Sequence, residues 1–191
     1  MPLIKVLIIA LISLPLAPGL VQADEIEIPE SITAQESAGL LYSDLQGALP
    51  KSLWRGQPRS EITYLLKRLP ATSPNTGIQR LKKRLLLSVT DTTLIDNDIP
   101  IENGDDILTL RLKKLVEMGL FDDAFKLYTE KVQDPKDNAE LGRIGLLLVL
   151  NEKGLATACL ENKVFSDRYA NQSLEKPFWA QINKICNHLL Y

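Results

Sequence analysis

One histidine, two cysteines and 6% aromatic residues leave this 191-residue chain short of the side chains that most chemistry requires. A nucleophile needs a base beside it, most often histidine. The only one, His188, lies three residues from the end of the chain on an amphipathic stretch. No Gly-x-Ser-x-Gly, His-Glu-x-x-His or phosphate-cradling glycine loop occurs. Two cysteines and one histidine cannot supply a four-ligand zinc site or a disulfide-dense scaffold, so neither a metal nor a cofactor is expected. The acidic cluster Asp96-Asn97-Asp98 and Glu102 to Asp106 does not fit a calcium loop, because Pro100 falls where a ligand is needed. A net charge of −2 offers no general basic field for nucleic acid. Alternating strand patterns are nearly absent. With 45% hydrophobic and 24% charged residues, what remains is ordinary globular composition.

The amino terminus reads as an address. Lys5 precedes an apolar run, Val6 to Leu16, that Pro15, Pro18 and Gly19 interrupt. The run is about half of the ~20 residues that a helix needs to cross a bilayer. Val21 and Ala23 then place small residues at −3 and −1 of a cleavage site, ahead of Asp24-Glu25. This layout predicts a signal peptide over residues 1–23, cleavage after Ala23, and a periplasmic or secreted protein. An uncleaved anchor or a buried first helix is the alternative. No cysteine follows the run, so a lipid anchor is not supported, and no membrane span is expected after cleavage. Residues 24–191 would then form a single all-helical domain with a net charge of −3, large enough to bury close to 70% of its extended surface. Possible sub-halves, 30–90 and 104–191, are joined by a loop over 90–104.

Export bears on the cysteines. In an oxidising compartment Cys159 and Cys186 can pair only with each other, and closing that loop of about 27 residues would stabilise the fold by roughly 3.5 kcal/mol. Two buried free thiols are the other reading. No Cys-x-x-Cys spacing supports a redox pair.

Apolar spacing beyond Asp24 is helical nearly everywhere. A first helix is expected from Ser31, as N-cap, through Leu40, Leu41 and Leu45 towards Leu49, with Pro50 as its stop. Ser60 is read as the cap of a second helix, with Ile62, Leu65, Leu66 and Leu69 on one side. Ser73-Pro74 opens a third, whose Ile78, Leu81, Leu85 and Val89 form the expected inner stripe. Its opposite face, Arg80, Lys82, Lys83 and Arg84, reads as solvated and neutralised by Asp91, Asp96 and Asp98, with anionic lipid or nucleic acid as the other reading of a basic run. Thr90 to Gly104 is the longest internal loop. Asp105 and Asp106 start a helix that Gly119 ends, a second follows to Asp134-Pro135, and Ala139 to Leu150 is apolar nearly all round, so it is expected to be the most buried. A short helix holds Ala156 to Leu160, an aromatic loop carries Phe165 and Tyr169, and a last helix begins near Ser173 or Lys176.

Two stretches superpose at a shift of 35. Leu115, Gly119, Leu120 and Ala124 match Leu150, Gly154, Leu155 and Cys159: a leucine at −4, a glycine, a leucine and a small residue at +5. A helix, a glycine turn and a second helix with a short side chain at the crossing is the unit of helical arrays. The Leu-Val-Glu-Met-Gly-Leu-Phe-Asp-Asp-Ala-Phe-Lys-Leu-Tyr stretch, 115–128, resembles a tetratricopeptide-repeat hairpin, although the Trp and Tyr of that family's first helix are absent. The resemblance implies a short superhelix of antiparallel hairpins; an irregular helical bundle would give the same pattern. The chain is also similar to secreted all-helical alphaproteobacterial proteins of uncharacterised function, through Leu49-Pro50-x-x-Leu53-Trp54-Arg55-Gly56, Arg84-Leu-Leu-Leu87, and Gly154 with Ala158-Cys159. That likeness implies a periplasmic location and no particular chemistry.

The functional expectation is therefore a periplasmic adaptor or scaffold, not an enzyme, binding envelope proteins or peptides in a hairpin groove. Trp54, Arg55, Arg59, Tyr64, Phe121 and Tyr128 are candidate contacts, each with core or scaffold as its other reading. The competing expectation is a small cell-wall hydrolase using Glu36, Glu61 or Glu117 as an acid in a helical cleft.

Overall fold

The computed structural model describes residues 30–132, 138–169 and 176–190. The expected signal peptide and its cleavage site lie outside them. The described residues form seven α-helices and no strand: α1 (Glu30–Glu36), α2 (Arg59–Arg68), α3 (Thr76–Leu87), α4 (Ile107–Glu117), α5 (Phe121–Lys131), α6 (Ala139–Tyr169) and α7 (Lys176–Leu190). The all-α class is as the periodicity predicts. Several boundaries and faces differ, each for a physical reason.

The helix expected from Ser31 to Leu49 stops at Glu36. Beyond it Gly39 lies against backbone, where a Cβ would come within 2.5–2.7 Å of atoms of Leu87, Ser88 and Val89. The amides of Leu40 and Leu41 both donate to the Leu87 carbonyl, and Val89 N donates back to Leu41. The chain is thus drawn into a single parallel bridge, Leu41 with Ser88. Leu45, counted as part of a helical stripe, is fully exposed in a 3₁₀ turn, Asp44–Gln46.

Ser60 does not cap α2. Pro58 holds that position, while the Ser60 amide and hydroxyl both donate to Asp98. Asn75 caps α3, its Oδ1 accepting from Gly77 N at 2.8 Å and Ile78 N at 3.1 Å, so Ser73-Pro74 precedes the cap. The face of α3 is also reversed. Ile78 and Leu81 are exposed, and Leu86 and Leu87 point inward with Lys82, whose ammonium reaches the Pro70 carbonyl at 2.7 Å. A lysine stem can line a core when its head finds an acceptor. The partner of Lys83 is Asp123, at 2.5 Å, and not Asp91, Asp96 or Asp98.

α4 is the centre of the molecule, packed on α1, α2, α3, α5 and α6. Every residue from Ile107 to Leu115 except Lys113 is buried, so α4 is as enclosed as the 139–150 stretch, in which no residue is exposed. Its start is the expected one: Asp106 Oδ1 accepts from Thr109 N at 2.8 Å. Gly119 (φ 73°) follows its end, and the chain turns directly into α5. α6 is broken at Gly154 (φ 81°, ψ 174°) and then stays helical to Tyr169, where a loop was expected around Phe165. α7 packs on α6.

One core takes Ile62, Leu66, Leu86 and Leu87 together with residues of α4, α5 and α6, so the two suggested sub-halves share an interior. The 90–104 segment between them is tied down: Gly56 N donates to Leu94 O, Arg59 N to Asp96 O and Asp96 N to Gln57 O. A second cluster, Ala139, Leu146, Val149, Ala158 and Trp179, lies between the two arms of α6 and α7.

Candidate binding surface

What the surface can do depends on how firmly the interior holds it, and the interior contains charge. Arg59, at the start of α2, is 1% exposed and forks onto Glu36 at the end of α1, with Nη1 to Oε1 2.7 Å and Nη2 to Oε2 2.9 Å. Glu36 Oε1 also accepts from the Ile107 amide at 2.8 Å, and Arg59 Nε donates to Asn97 at 3.0 Å. Arg111, one helical turn further along α4, donates to four carbonyls: Leu86 (2.7 Å), Glu36 (3.2 Å), Ala38 (2.6 Å) and Ser88 (2.9 Å). Glu36 and Leu86 lie in the last turns of α1 and α3, where helical carbonyls lack an intrahelical partner, and Ala38 and Ser88 lie just beyond; all need partners once buried. A planar guanidinium with five donors meets that need. Burial pushes the Arg111 pKa down to about 10, with the Glu36 carboxylate opposing the shift, so it remains a cation at neutral pH.

Sequence reasoning named Glu36 and Arg59, but for surface roles, and missed Arg111. The one local sign was a charge inside Leu110-Arg111-Leu112, within an otherwise apolar turn.

The glycine-turned hairpins hold the other half. The small residues at +5 from Gly119 and Gly154, Ala124 and Cys159, are both buried where helices cross. On the next crossing, Gly145 faces the Tyr128 ring and hydroxyl with no room for a Cβ. The Cys159 and Cys186 sulfurs are at bonding distance, 2.02 Å, tying α7 to the second arm of α6, and Asn162 Nδ2 donates to Asn183 Oδ1 at 2.6 Å alongside. Trp179 is fully buried there, edge-on to Phe178 at 5.0 Å between ring centres and tilted against Phe165 at 6.3 Å.

The six candidate contacts separate accordingly. Arg59 and Tyr128 are interior, and Trp54 is half-buried against the core. Arg55, Tyr64 and Phe121 face solvent on three different elements: the connector before α2, α2 itself, and the first residue of α5. Of the candidate acids, Glu36 is committed to Arg59, Glu117 pairs with Lys114 at 2.5 Å, and Glu61 is exposed on α2. No group of three or more metal-binding side chains converges among the described residues.

The periodicity did not mark the apolar rows that are exposed as facing outward. Leu160 (66% exposed) and Val164 (62%) stand four residues apart on α6, as Ile185 and Leu189 do on α7. Ile78 and Leu81 form a third row on α3. Against these features, no family model, no curated protein and no solved structure matches the chain.

Proposed function

We propose that this protein is an exported helical adaptor that binds other envelope proteins or peptides through the outer faces of its carboxy-terminal hairpins. The observation that carries this reading is the pair of exposed apolar rows on α6 and α7, Leu160 with Val164 and Ile185 with Leu189. The outermost unit of a helical array needs a polar outer face to stay soluble alone, and these rows are what a partner would cover. The leader-like residues 1–23 and the Cys159–Cys186 pair support an oxidising, exported setting. Glu36 is held as an ion-pair partner, so the hydrolase alternative loses one of its three acids.

A photo-crosslinking residue placed at Leu160, in cells of the native host, tests the reading. A discrete adduct that disappears in a Val164→Asp background is the expected result. Recovery of the uncrosslinked monomer alone, from both the Leu160 and the Ile185 positions, overturns it.

A further inference from the structure

Charge and exposed apolar surface coincide in one part of the chain away from the hairpins. From Ile62 to Thr90 there is no acidic residue, yet six cations fall there: Lys67, Arg68, Arg80, Lys82, Lys83 and Arg84. The whole protein carries 24 acids against 22 cations, so this is segregation within a chain of nearly balanced charge. The same stretch holds Tyr64 (56% exposed), Leu65 (55%), Ile78 (50%) and Leu81 (51%).

On α3 the two features share one helix. Ile78 and Leu81 stand one turn apart, with Leu85 a further turn on; Arg84, three residues past Leu81, lies beside the row, and Arg80, one turn before Arg84, extends that same side. The core takes its contacts from Leu86, Leu87 and the stem of Lys82 instead. Some of the cations are spent internally. Lys82 is buried on Pro70, Lys83 pairs with Asp123, and Lys67 pairs with Asp105. Arg80 takes part in no ion pair among the described residues, Arg84 donates to the Gly47 carbonyl, and Arg68 stands over the Tyr64 ring at 5.1 Å. These arginines hold their charge without a fixed acidic partner.

We propose that the outer face of α3 lies on an anionic phospholipid surface, with Ile78 and Leu81 entering the interface and Arg80 and Arg84 on its phosphates. A helix that rests in the plane of a bilayer presents aliphatic side chains on one side and arginine or lysine beside them. The charge complementarity is with a surface and not with one acid: cations on exposed, flexible stems are satisfied by phosphates wherever these fall. No helix among the described residues is long and apolar enough to cross a membrane, so α3 would rest on the leaflet without spanning it.

Sedimentation of the full chain with phosphatidylcholine vesicles, and with vesicles that also contain phosphatidylglycerol, tests the proposal. The apolar run near the amino terminus is common to every variant, so the anionic-to-neutral binding ratio is the quantity read. The wild type should favour anionic vesicles, and the preference should vanish in ~1 M salt, where the screening length falls to about 3 Å. Arg80→Gln should lower the ratio about fivefold, and Leu81→Asp at least as much. Leu160→Asp should leave it unchanged. Equal binding to both vesicle types overturns the proposal, as does wild-type binding by the Arg80→Gln and Leu81→Asp variants with their helical content intact. A loss on Leu160→Asp alone overturns it for α3, and α3 substitutions that abolish only a protein complex overturn the membrane in favour of a protein partner.

Discussion

Around Glu36, the ends of α1 and α3 and the bent backbone just beyond them are held by buried charges; around Trp179, helix packs on helix through apolar side chains, an aromatic trio and a disulfide. The contrast follows from where each region's backbone polar groups go. A helical hairpin satisfies its own amides and carbonyls, so its interior can be Ala158, Val149 and Trp179. The C-terminal ends of α1 and α3 and the chain that leaves them cannot do so, and α4 supplies Arg111 in place of a ladder. The two regions should therefore fail differently: one when a charge loses its partner, the other when a close contact or a covalent tie is changed.

The largest effect is expected on the polar side. Glu36→Gln preserves shape but leaves Arg59 and Arg111 cationic in a buried site without their counter-charge. Breaking such a pair costs about 3–5 kcal/mol. Urea unfolding should show a large fall in midpoint with little change in slope. A loss below ~1 kcal/mol would mean that water reaches the site and that the contrast between the regions is weaker than the geometry indicates.

Replacing both cysteines by alanine probes the other side. A 27-residue separation corresponds to roughly 3.5 kcal/mol in the chain-entropy account. Because α7 packs on α6, hydrogen exchange should rise first in α7 and leave α4 protected. Equal acceleration in both helices would show that the polar region depends on the clasp.

A smaller effect is expected from Gly145→Ala. The added methyl would overlap Tyr128, an overpacking cost of about 1–3 kcal/mol, partly offset by up to ~1 kcal/mol of helix propensity. If Tyr128→Phe in the same chain recovers none of the loss, the clash lies with the ring carbons and not with the hydroxyl.

The contrast also explains what could be read from the sequence. The hairpin region was legible because its determinants are local. Gly119 and Gly154 both adopt positive φ, as glycine turns require, and Ala124 and Cys159 are small where helices cross. Asp106 caps α4 as its position suggested. The polar region was not legible. The helix from Ser31 ends early because of Gly39 packing against residue 88, nearly fifty positions away, and no local signal carries that. Ile78, Leu81 and Leu85 have the spacing of a core stripe, and only the tertiary position of Leu86 and Leu87 turns Ile78 and Leu81 outward and leaves Leu85 half-buried. For the candidate surface, Arg59 looked like an exposed contact because its partner Glu36 lies 23 residues back in the sequence. The Leu160–Val164 row was lost when the helix was ended at Leu160 instead of Tyr169.

The last comparison is made at the junction of the two regions. Asp106 caps α4 and accepts from Asn138 Nδ2 at 2.5 Å, and Asn138 Oδ1 in turn accepts from Leu141 N at 2.9 Å, as the cap of α6. Burial raises the Asp106 pKa above 3.8, and the Glu36 charge adds to this, against the hydrogen bonds from Thr109 and Asn138. A carboxyl with a raised folded-state pKa binds its proton more tightly when folded. Its contribution to stability is then fully present below pH 3.8 and is lost as the pH rises through the folded value. Asp106→Asn is the neutral counterpart of the protonated acid: it retains an acceptor for Thr109 N and cannot ionise, and at the second oxygen, as for the protonated acid, a donor faces Asn138 Nδ2. The two proteins should have similar stability near pH 3, and the variant should gain on the wild type as the pH rises towards 7, by about 1.4 kcal/mol for each unit by which the pKa is raised. Urea midpoints across that range measure the difference. A wild type that gains on the variant instead would mean that the paired caps outweigh burial, and that the charge on Asp106 helps to hold α4 and α6 together.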